Sequence, residues 1–208
     1  MARITFNFSE KVALVTGGSR GIGRATALLF GQSGAKVVIG DIDPAGNETV
    51  ETIKRDGGEA IFVKTDVSNE EDVKNLIATA VKTYGGLHCA FNNAGVLPPT
   101  VALVEMEEST FDQNVGGRSQ RSVSVHEARD HAHAAKRRRR NCEYCVNTAM
   151  TKAWFDDPNM NAHFIANTPI GRVSQPSEIA GVVLFLCSDL ASFAVGQTFV
   201  IDGGYTTH

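Results

Sequence analysis

The chain has 208 residues, 42% hydrophobic and 21% charged, proportions typical of a globular domain with a sizeable core. The net charge of −3 by itself excludes no class of partner. Four cysteines are too few for a disulfide framework, and no apolar run is long enough to span a bilayer. We therefore expect a cytoplasmic protein with no membrane partner.

A glycine-rich turn, Gly17–Gly23, lies between an apolar run and a helical pattern. The run Val12–Thr16 predicts a buried strand, and apolar residues at helical spacing from Ala25 onward predict a helix that stops at Gly34. Such a turn brings backbone N–H groups and the positive end of a helix dipole to an anion, so it predicts a phosphate site. The alternative is a turn that needs glycine only for its backbone angles.

The second predicted strand, Lys36–Asp41, ends in an acid. Its distance from Gly23 is typical of an acid that accepts hydrogen bonds from the adenosine ribose, where a negative charge disfavours a 2′-phosphate and so favours NAD. In the alternative interpretation, Asp41 only leads into a turn, with Asp43 capping a helix that begins at Pro44.

Two more strand–helix units are predicted. Ala60–Val63 and Leu87–Phe91 read as strands, and the helix between them begins at a Ser68–Glu71 capping box and ends at Gly85. The predicted apolar face of that helix is Val73, Leu76, Ile77, Ala80 and Val81. This alternation predicts an α/β fold, a doubly wound parallel sheet with helices on both faces. Ligands of such sheets bind at the carboxyl ends of the strands. The residues expected there are Gly17, Asp41, Asp66 and Asn93.

These motifs resemble the cofactor motifs of the short-chain dehydrogenase/reductase family, in the same order. The residues that carry the resemblance are Thr16-Gly17-x-x-x-Gly21-Ile22-Gly23, Asp66-Val67, Asn92-Asn93-Ala94-Gly95, Pro169–Arg172, Pro176–Ala180 and Gly196–Gly204. It covers roughly 8–113 and 146–206. It implies a Rossmann-like fold, a nicotinamide cofactor, oxidoreduction of a small-molecule alcohol or ketone, and a homo-oligomer formed through the C-terminal region.

The family's pattern also implies which residues hold the cofactor. Gly17 and Gly21–Gly23 would hold the pyrophosphate, Asp66-Val67 would flank the adenine, and Asn93–Gly95 would lie near the ribose and the nicotinamide side. Val146–Thr148 resembles the segment that contacts the carboxamide, although the Pro-Gly expected before it is absent. The full set predicted to bind NAD is Gly17, Ser19, Arg20, Gly21, Ile22, Gly23, Asp41, Asp66, Val67, Asn93, Ala94, Gly95 and Thr148. No metal is predicted.

The family's catalytic residues are largely missing. Its chemistry needs a Tyr whose pKa is lowered by a Lys four residues later, together with a Ser and an Asn. The sequence contains no Tyr-x-x-x-Lys, and only Asn114 resembles a member of this set. We expect impaired catalysis. A non-catalytic dinucleotide-binding protein and a defective gene product are therefore weighed beside an active dehydrogenase.

Residues 114–145 form a basic segment unlike the rest of the chain. If the codons for 121–145 are read one nucleotide later, they can encode the amphipathic helix, glycine-rich turn and strand expected of the family, so we interpret the segment as frameshifted. We expect one Rossmann-like domain over 1–208, with 114–145 disordered and the central strands and catalytic helix partly missing. The fourth strand would then have an open edge before a last strand at Thr198–Ile201, and stability would fall below the family norm.

Other interpretations of the basic segment are weaker. Lys136–Arg140 resembles a nucleic-acid or nuclear-localisation patch, but no aromatic residues interleave the arginines, so we expect no nucleic-acid partner and place a basic interaction module last. Cys142 and Cys145 with the nearby histidines lack the usual zinc spacing. Substrate choice is assigned to the loop from about Ala149 to Thr168. Its aromatic and Met side chains either line a substrate pocket or pack on the core.

Overall fold

The computed structural model describes residues 6–95, the backbone of Val125–Glu127, and residues 146–207. A five-stranded sheet runs through the described part in the order β3-β2-β1-β4-β5. The strands are β1 (Val12–Thr16), β2 (Lys36–Asp41), β3 (Glu59–Lys64), β4 (Cys89–Asn92) and β5 (Val125–Glu127). The first four are parallel to their neighbours, and β5 pairs antiparallel with β4. The predicted doubly wound α/β fold is confirmed.

Helices cover both faces of the sheet. They are α1 (Gly21–Gln32), α2 (Gly46–Arg55), α3 (Glu70–Tyr84), α4 (Lys152–Asp156), α5 (Pro158–Ala166) and α6 (Pro176–Cys187), followed by a 3₁₀ turn at Asp189–Ala191. The cores formed by α1, α2 and α6 on one face and by α3 on the other are separate. Within the described residues, no helix is long and apolar enough to cross a membrane.

Strand β1 is buried along its whole length because it contributes to both cores. Ala13 and Val15 face the α1 side, and Val12 and Leu14 face the α3 side. A strand with both faces covered needs apolar residues at every position, which explains its continuous apolar sequence. Full burial of a side chain as large as Phe30, on α1, contributes about 2–3 kcal/mol to this packing.

Two helix starts differ from the sequence prediction. Helix α2 begins at Gly46 rather than Pro44, because Asp43 Oδ1 accepts the Ala45 N–H at 2.9 Å and forms a turn there. Helix α3 is capped by Asn69, whose Oδ1 accepts the Glu71 N–H at 3.0 Å. The predicted Ser68 capping box is therefore wrong. That serine instead donates to a carboxylate before the helix.

The predicted helix faces are also only partly right. On α3, Leu76 and Ala80 are buried, whereas Ile77 and Val81 are exposed. The buried residues of α1 are Gly23, Thr26, Ala27 and Phe30. Helical periodicity identified both helices, but which residue of an apolar stripe is covered depends on the neighbouring elements, which periodicity does not specify.

The predicted last strand is wrong. Thr198–Ile201 is not part of a strand in the described structure, and Phe199, Val200 and Ile201 are exposed. A strand forms only against a paired neighbour, and no described strand lies beside this one.

The edge of β4, expected to be open, is paired by the backbone of β5 at three positions. The rest of the basic segment 114–145, including its expected disorder, lies outside the described residues.

Candidate functional site

The glycine-rich turn connects β1 to α1 at the carboxyl end of the sheet. Gly17 and Gly21 have φ of 69° and 53°, values that L side chains rarely adopt. A Cβ on Gly23 would lie 2.1 Å from the Gly17 carbonyl oxygen, so only glycine allows this close approach. The N-cap residue, Arg20, makes no side-chain capping bond, and no acid occupies the first turn of α1. This cradle of backbone N–H groups fits a phosphate or pyrophosphate.

The end of β4 braces this turn. Asn93 Nδ2 donates to the carbonyl oxygens of Thr16 at 3.1 Å and Gly17 at 3.3 Å. In return, Thr16 Oγ1 accepts the backbone N–H groups of Asn93 and Ala94 at 3.0 and 3.1 Å. The Asn93 amide therefore fixes the shape of the cradle, while Gly95 beside it is exposed.

Asp41 lies at the end of β2 and faces the turn. Its Oδ2 accepts the Ser19 N–H at 3.0 Å, and its Oδ1 accepts the Asp43 N–H at 3.0 Å. Each carboxylate oxygen keeps lone-pair capacity for another donor. Asp41 therefore shapes the turn, and its carboxylate still presents acceptors suited to ribose hydroxyls, so the ribose role stays a prediction.

An ion pair lies next to this acid. Arg20 Nε donates to Asp43 Oδ2 at 2.9 Å, with 65% of the Arg20 side chain and 36% of the Asp43 side chain exposed. The hydrogen bond from the Ala45 N–H, followed by that from Arg20, lowers the pKa of Asp43 below its usual value. Asp43 in turn raises the pKa of Arg20. Both groups are charged at neutral pH.

At the end of β3, Asp66 is exposed and engaged locally. Its Oδ1 accepts the Ser68 N–H at 2.8 Å and the Ser68 hydroxyl at 2.6 Å, and its own N–H donates to Asp72 at 2.9 Å. Val67 follows it and is half-buried. These contacts shape the loop before α3. Contact of Asp66 and Val67 with an adenine stays a prediction.

Thr148 lies next to the glycine turn, although it is more than a hundred residues away in the sequence. A Cβ on Gly21 would lie 3.2 Å from Thr148 Cγ2, so the two residues are neighbours. Both line a cavity of about 510 Å³, which is also bordered by Arg24 and Lys152.

The sequence prediction missed Thr151, which holds Thr148 in place. Its buried Oγ1 accepts the Thr148 N–H at 3.0 Å and donates to the Val146 carbonyl at 2.6 Å. Val146 itself forms an isolated bridge with Ser174. Repeated threonines in a loop were the only signal in the sequence.

The predicted substrate loop packs on itself. Phe164 is buried, and the rings of Trp154 and Phe155 lie 6.2 and 5.6 Å from its ring. Tyr205 joins this cluster at 6.3 Å, while Met160 is exposed. Of the two interpretations offered for these side chains, the structure supports packing.

Tyr84 does not stand in for the missing catalytic tyrosine. Tyr84 ends α3 beside Lys36, the first residue of β2, and so lies at the opposite end of the sheet from the glycine turn. Burial raises the pKa of Tyr84, the reverse of what a proton-exchanging phenol needs. Asn114, Tyr144 and the candidate zinc ligands lie outside the described residues.

A parallel sheet with a glycine cradle and an acid after the second strand defines a protein of Rossmann type. Residues 11–118 match the family model described as short chain dehydrogenase, and residues 126–206 match one described as Enoyl-(Acyl carrier protein) reductase. The chain belongs to the short-chain dehydrogenase/reductase family, whose members are oxidoreductases that generally bind NAD(P).

Two relatives of known activity are similar along their whole length. The chain is 33% identical to cyclohexanol dehydrogenase of Acinetobacter sp. (strain SE19), with 100% of both chains covered. It is 30% identical to cis-4-hydroxycyclohexanecarboxylate dehydrogenase of Sinomonas cyclohexanicum, with 96% of this chain and 98% of the relative covered. The first alignment spans 250 positions against 208 residues here, so that relative carries segments with no counterpart in this chain.

Solved structures share the fold. A short-chain type dehydrogenase/reductase from Mycobacterium marinum superposes with a TM-score of 0.81 at 21% identity, with 98% of each chain covered. A family member from Burkholderia phymatum, in complex with NAD, is 37% identical with a TM-score of 0.52. That match covers 56% of this chain and 41% of the other.

Proposed function

We propose that this chain binds NAD(H) at the glycine turn and that its capacity for hydride transfer is impaired. The proposed binding of NAD(H) rests on the position of Asp41. Its carboxylate is held against the turn by the Ser19 N–H, on the side where an adenosine ribose would lie when the pyrophosphate occupies the cradle. A 2′-phosphate there would meet the carboxylate of Asp41, which favours NAD over NADP.

The chain's own residues divide the work of binding. The backbone of Gly21–Gly23 would donate to the pyrophosphate at the N-terminus of α1, and Asp41 would accept from the ribose. Thr148, fixed by Thr151, would approach the nicotinamide end. When bound, NAD would supply the acceptor or donor of hydride. Asp66, Val67, Ala94 and Gly95 complete the proposed binding surface at the neighbouring strand ends.

The proposal of impaired catalysis rests on the missing proton-transfer group. The sequence holds no Tyr-x-x-x-Lys, and the longer relative has segments without a counterpart here. Without a phenol tuned toward neutrality, the chain lacks the group that, by the family's pattern, exchanges a proton with the substrate oxygen as hydride moves. We assign the loss to a frame change across codons 121–145, with a further deletion or mis-spliced segment after them. The nucleotide sequence across codons 111–150 tests this assignment, and codons that cannot encode the shifted reading would refute it.

An active dehydrogenase is the second candidate, favoured by the relatives at 33% and 30% identity. Both are named for oxidation of a hydroxyl on a six-membered carbon ring. If this chain turns over, its substrate is therefore a small alicyclic alcohol or ketone. We also propose a cytoplasmic location, as expected from the composition, and a homo-oligomer, as the family's pattern implies.

The test combines binding with turnover. Titration of the chain with NADH, followed by the fluorescence of the reduced nicotinamide, should show saturable binding. Asp41→Ala should weaken that binding at least about tenfold, the loss expected of a charge-assisted hydrogen bond. Glu51→Ala removes an equally charged but exposed carboxylate from α2 and should leave binding unchanged. Absence of binding by the wild-type chain would indicate a defective gene product.

Turnover is measured with cyclohexanol and NAD by the absorbance of NADH formed. We expect no formation above the rate without protein. Oxidation that depends on both NAD and the purified chain would overturn the proposed impairment and establish the second candidate.

A further inference from the structure

Arg20 lies beside the proposed ribose site, because it bonds Asp43, whose N–H donates to Asp41. It directly precedes α1, and it is the one charged residue in Gly17–Gly23. An arginine near the acid after the second strand is what accommodates the 2′-phosphate in dinucleotide-binding proteins that accept NADP. Such an arginine is present here, but its Nε is hydrogen-bonded to Asp43 Oδ2 at 2.9 Å.

Asp43 is itself fixed from several directions. Its Oδ1 accepts the Ala45 N–H at 2.9 Å, and its own N–H donates to Asp41 Oδ1 at 3.0 Å. Its carbonyl oxygen accepts the buried Ser19 hydroxyl at 2.8 Å. The acid that pairs with Arg20 is thus anchored to the same backbone that shapes the ribose site, so it cannot follow the guanidinium elsewhere without breaking these bonds.

The geometry points to Asp43 as a second determinant of cofactor choice, a positioning residue that holds the Arg20 guanidinium away from the ribose 2′ position. This inference rests on the proposed binding of NAD(H) at the glycine turn. Asp41 repels a 2′-phosphate directly, whereas Asp43 withholds the cation that would attract it. The preference for NAD then has two separable parts.

The exposure of the pair makes the arrangement testable without unfolding the protein. Exposed ion pairs contribute little to stability, so loss of this one should leave the fold intact. A phosphate competes with a carboxylate for the same guanidinium donors and carries more charge. Removing the Asp43 charge should therefore release Arg20 to the 2′-phosphate.

The experiment measures the dissociation constants of NADH and NADPH by fluorescence titration. In Asp43→Asn we expect the NADPH constant to fall about five- to tenfold and the NADH constant to change less than about twofold. Glu48→Gln is the matched control. Glu48 also raises the pKa of Arg20 through its charge, but no hydrogen bond joins it to the guanidinium, so NADPH affinity should stay within about twofold.

A second substitution separates positioning from simple repulsion. In the Arg20→Gln background, Asp43→Asn should give no gain in NADPH affinity, because the cation that it releases is gone. A gain that persists there would show that Asp43 only repels the phosphate and would overturn the inference. An unchanged NADPH constant in Asp43→Asn, with NADH still bound, would also overturn it while leaving the proposed function intact. Failure of every variant and of the wild type to bind NADH would refute the proposed function itself.

Discussion

The Asn93 amide donates to the Thr16 carbonyl at 3.1 Å, so the residue after β4 holds the last residue of β1 in position. This bond links the neighbouring strands β1 and β4 where the glycine turn begins. The shape of the phosphate cradle therefore depends on a side chain more than seventy residues away in the sequence.

Asn93→Ala should weaken both the fold and NADH binding. The carbonyls of Thr16 and Gly17 would lose a half-buried donor, which costs about 1–3 kcal/mol of unfolding free energy. Urea unfolding followed by circular dichroism measures this loss. Asn47→Ala removes an exposed hydrogen bond from a side-chain amide to the Pro44 carbonyl and should lower the unfolding free energy far less. Equal losses in the two variants would contradict the bracing role.

Gly23→Ala should abolish the cradle. Its Cβ would lie 2.1 Å from the Gly17 carbonyl oxygen, and relieving that clash requires a backbone shift that costs about 1–3 kcal/mol. We expect NADH binding to be lost in a fluorescence titration. Gly181→Ala, inside α6 with open space around it, should instead raise stability by up to about 1 kcal/mol. Retention of wild-type affinity in Gly23→Ala would show that the cofactor does not use this turn.

Thr151→Val should loosen Thr148 and destabilise the loop around it. The variant keeps the branched shape but leaves the buried Val146 carbonyl and the Thr148 N–H without their partner, at about 1–3 kcal/mol. Urea unfolding gives the loss of stability. Thr52→Val, on the exposed face of α2, is the control and should change stability by less than about 0.5 kcal/mol.

The Arg172–Glu178 pair should make the free energy of unfolding depend on pH in the acid range. Two hydrogen bonds of 2.7 Å from Arg172, and one from the Gln175 N–H, lower the pKa of Glu178 to about 2. Since the folded pKa is below the unfolded value, this contribution is present above about pH 4.5 and is lost as pH falls toward 2.

Comparison with Glu178→Gln separates the contribution of Glu178 from the contributions of the other carboxylates. The urea midpoint of the wild type should exceed that of the variant at pH 6, and the difference should shrink progressively between pH 4.5 and 2. A difference that stays constant over this range would assign the effect of the substitution to helix capping alone.

The N-terminal half of the fold was predictable because its signals are local. The strands β1 and β2 match their predicted bounds, and Gly34 and Gly85 follow α1 and α3 as helix stops with left-handed backbone angles. Asp41 was placed correctly at the turn because the order of elements in a parallel sheet fixes where strand ends meet.

The remaining features depend on partners that a pattern does not name. Thr198–Ile201 has the composition of a strand, but composition does not supply the neighbour that pairs with it. Two side-chain contacts lie within loops, where no periodicity exists to reveal them. Thr151 holds Thr148 in place, and Arg20 pairs with Asp43.

Helix α6 packs on α1, where Val183 and Leu184 share one apolar cluster with Ala27 and Phe30. Residues 6–95 and 146–207 therefore meet in one apolar cluster, although 50 residues separate them in the sequence. Val183 and Leu184 lie more than 150 positions after Ala27 and Phe30 in the chain. Without these two side chains, the buried face of α1 would lose part of its cover, at a cost of roughly 25 cal/mol for each Å² of apolar surface exposed to water. The helix whose N-terminus forms the proposed phosphate site is thus stabilised by the C-terminal part of the chain.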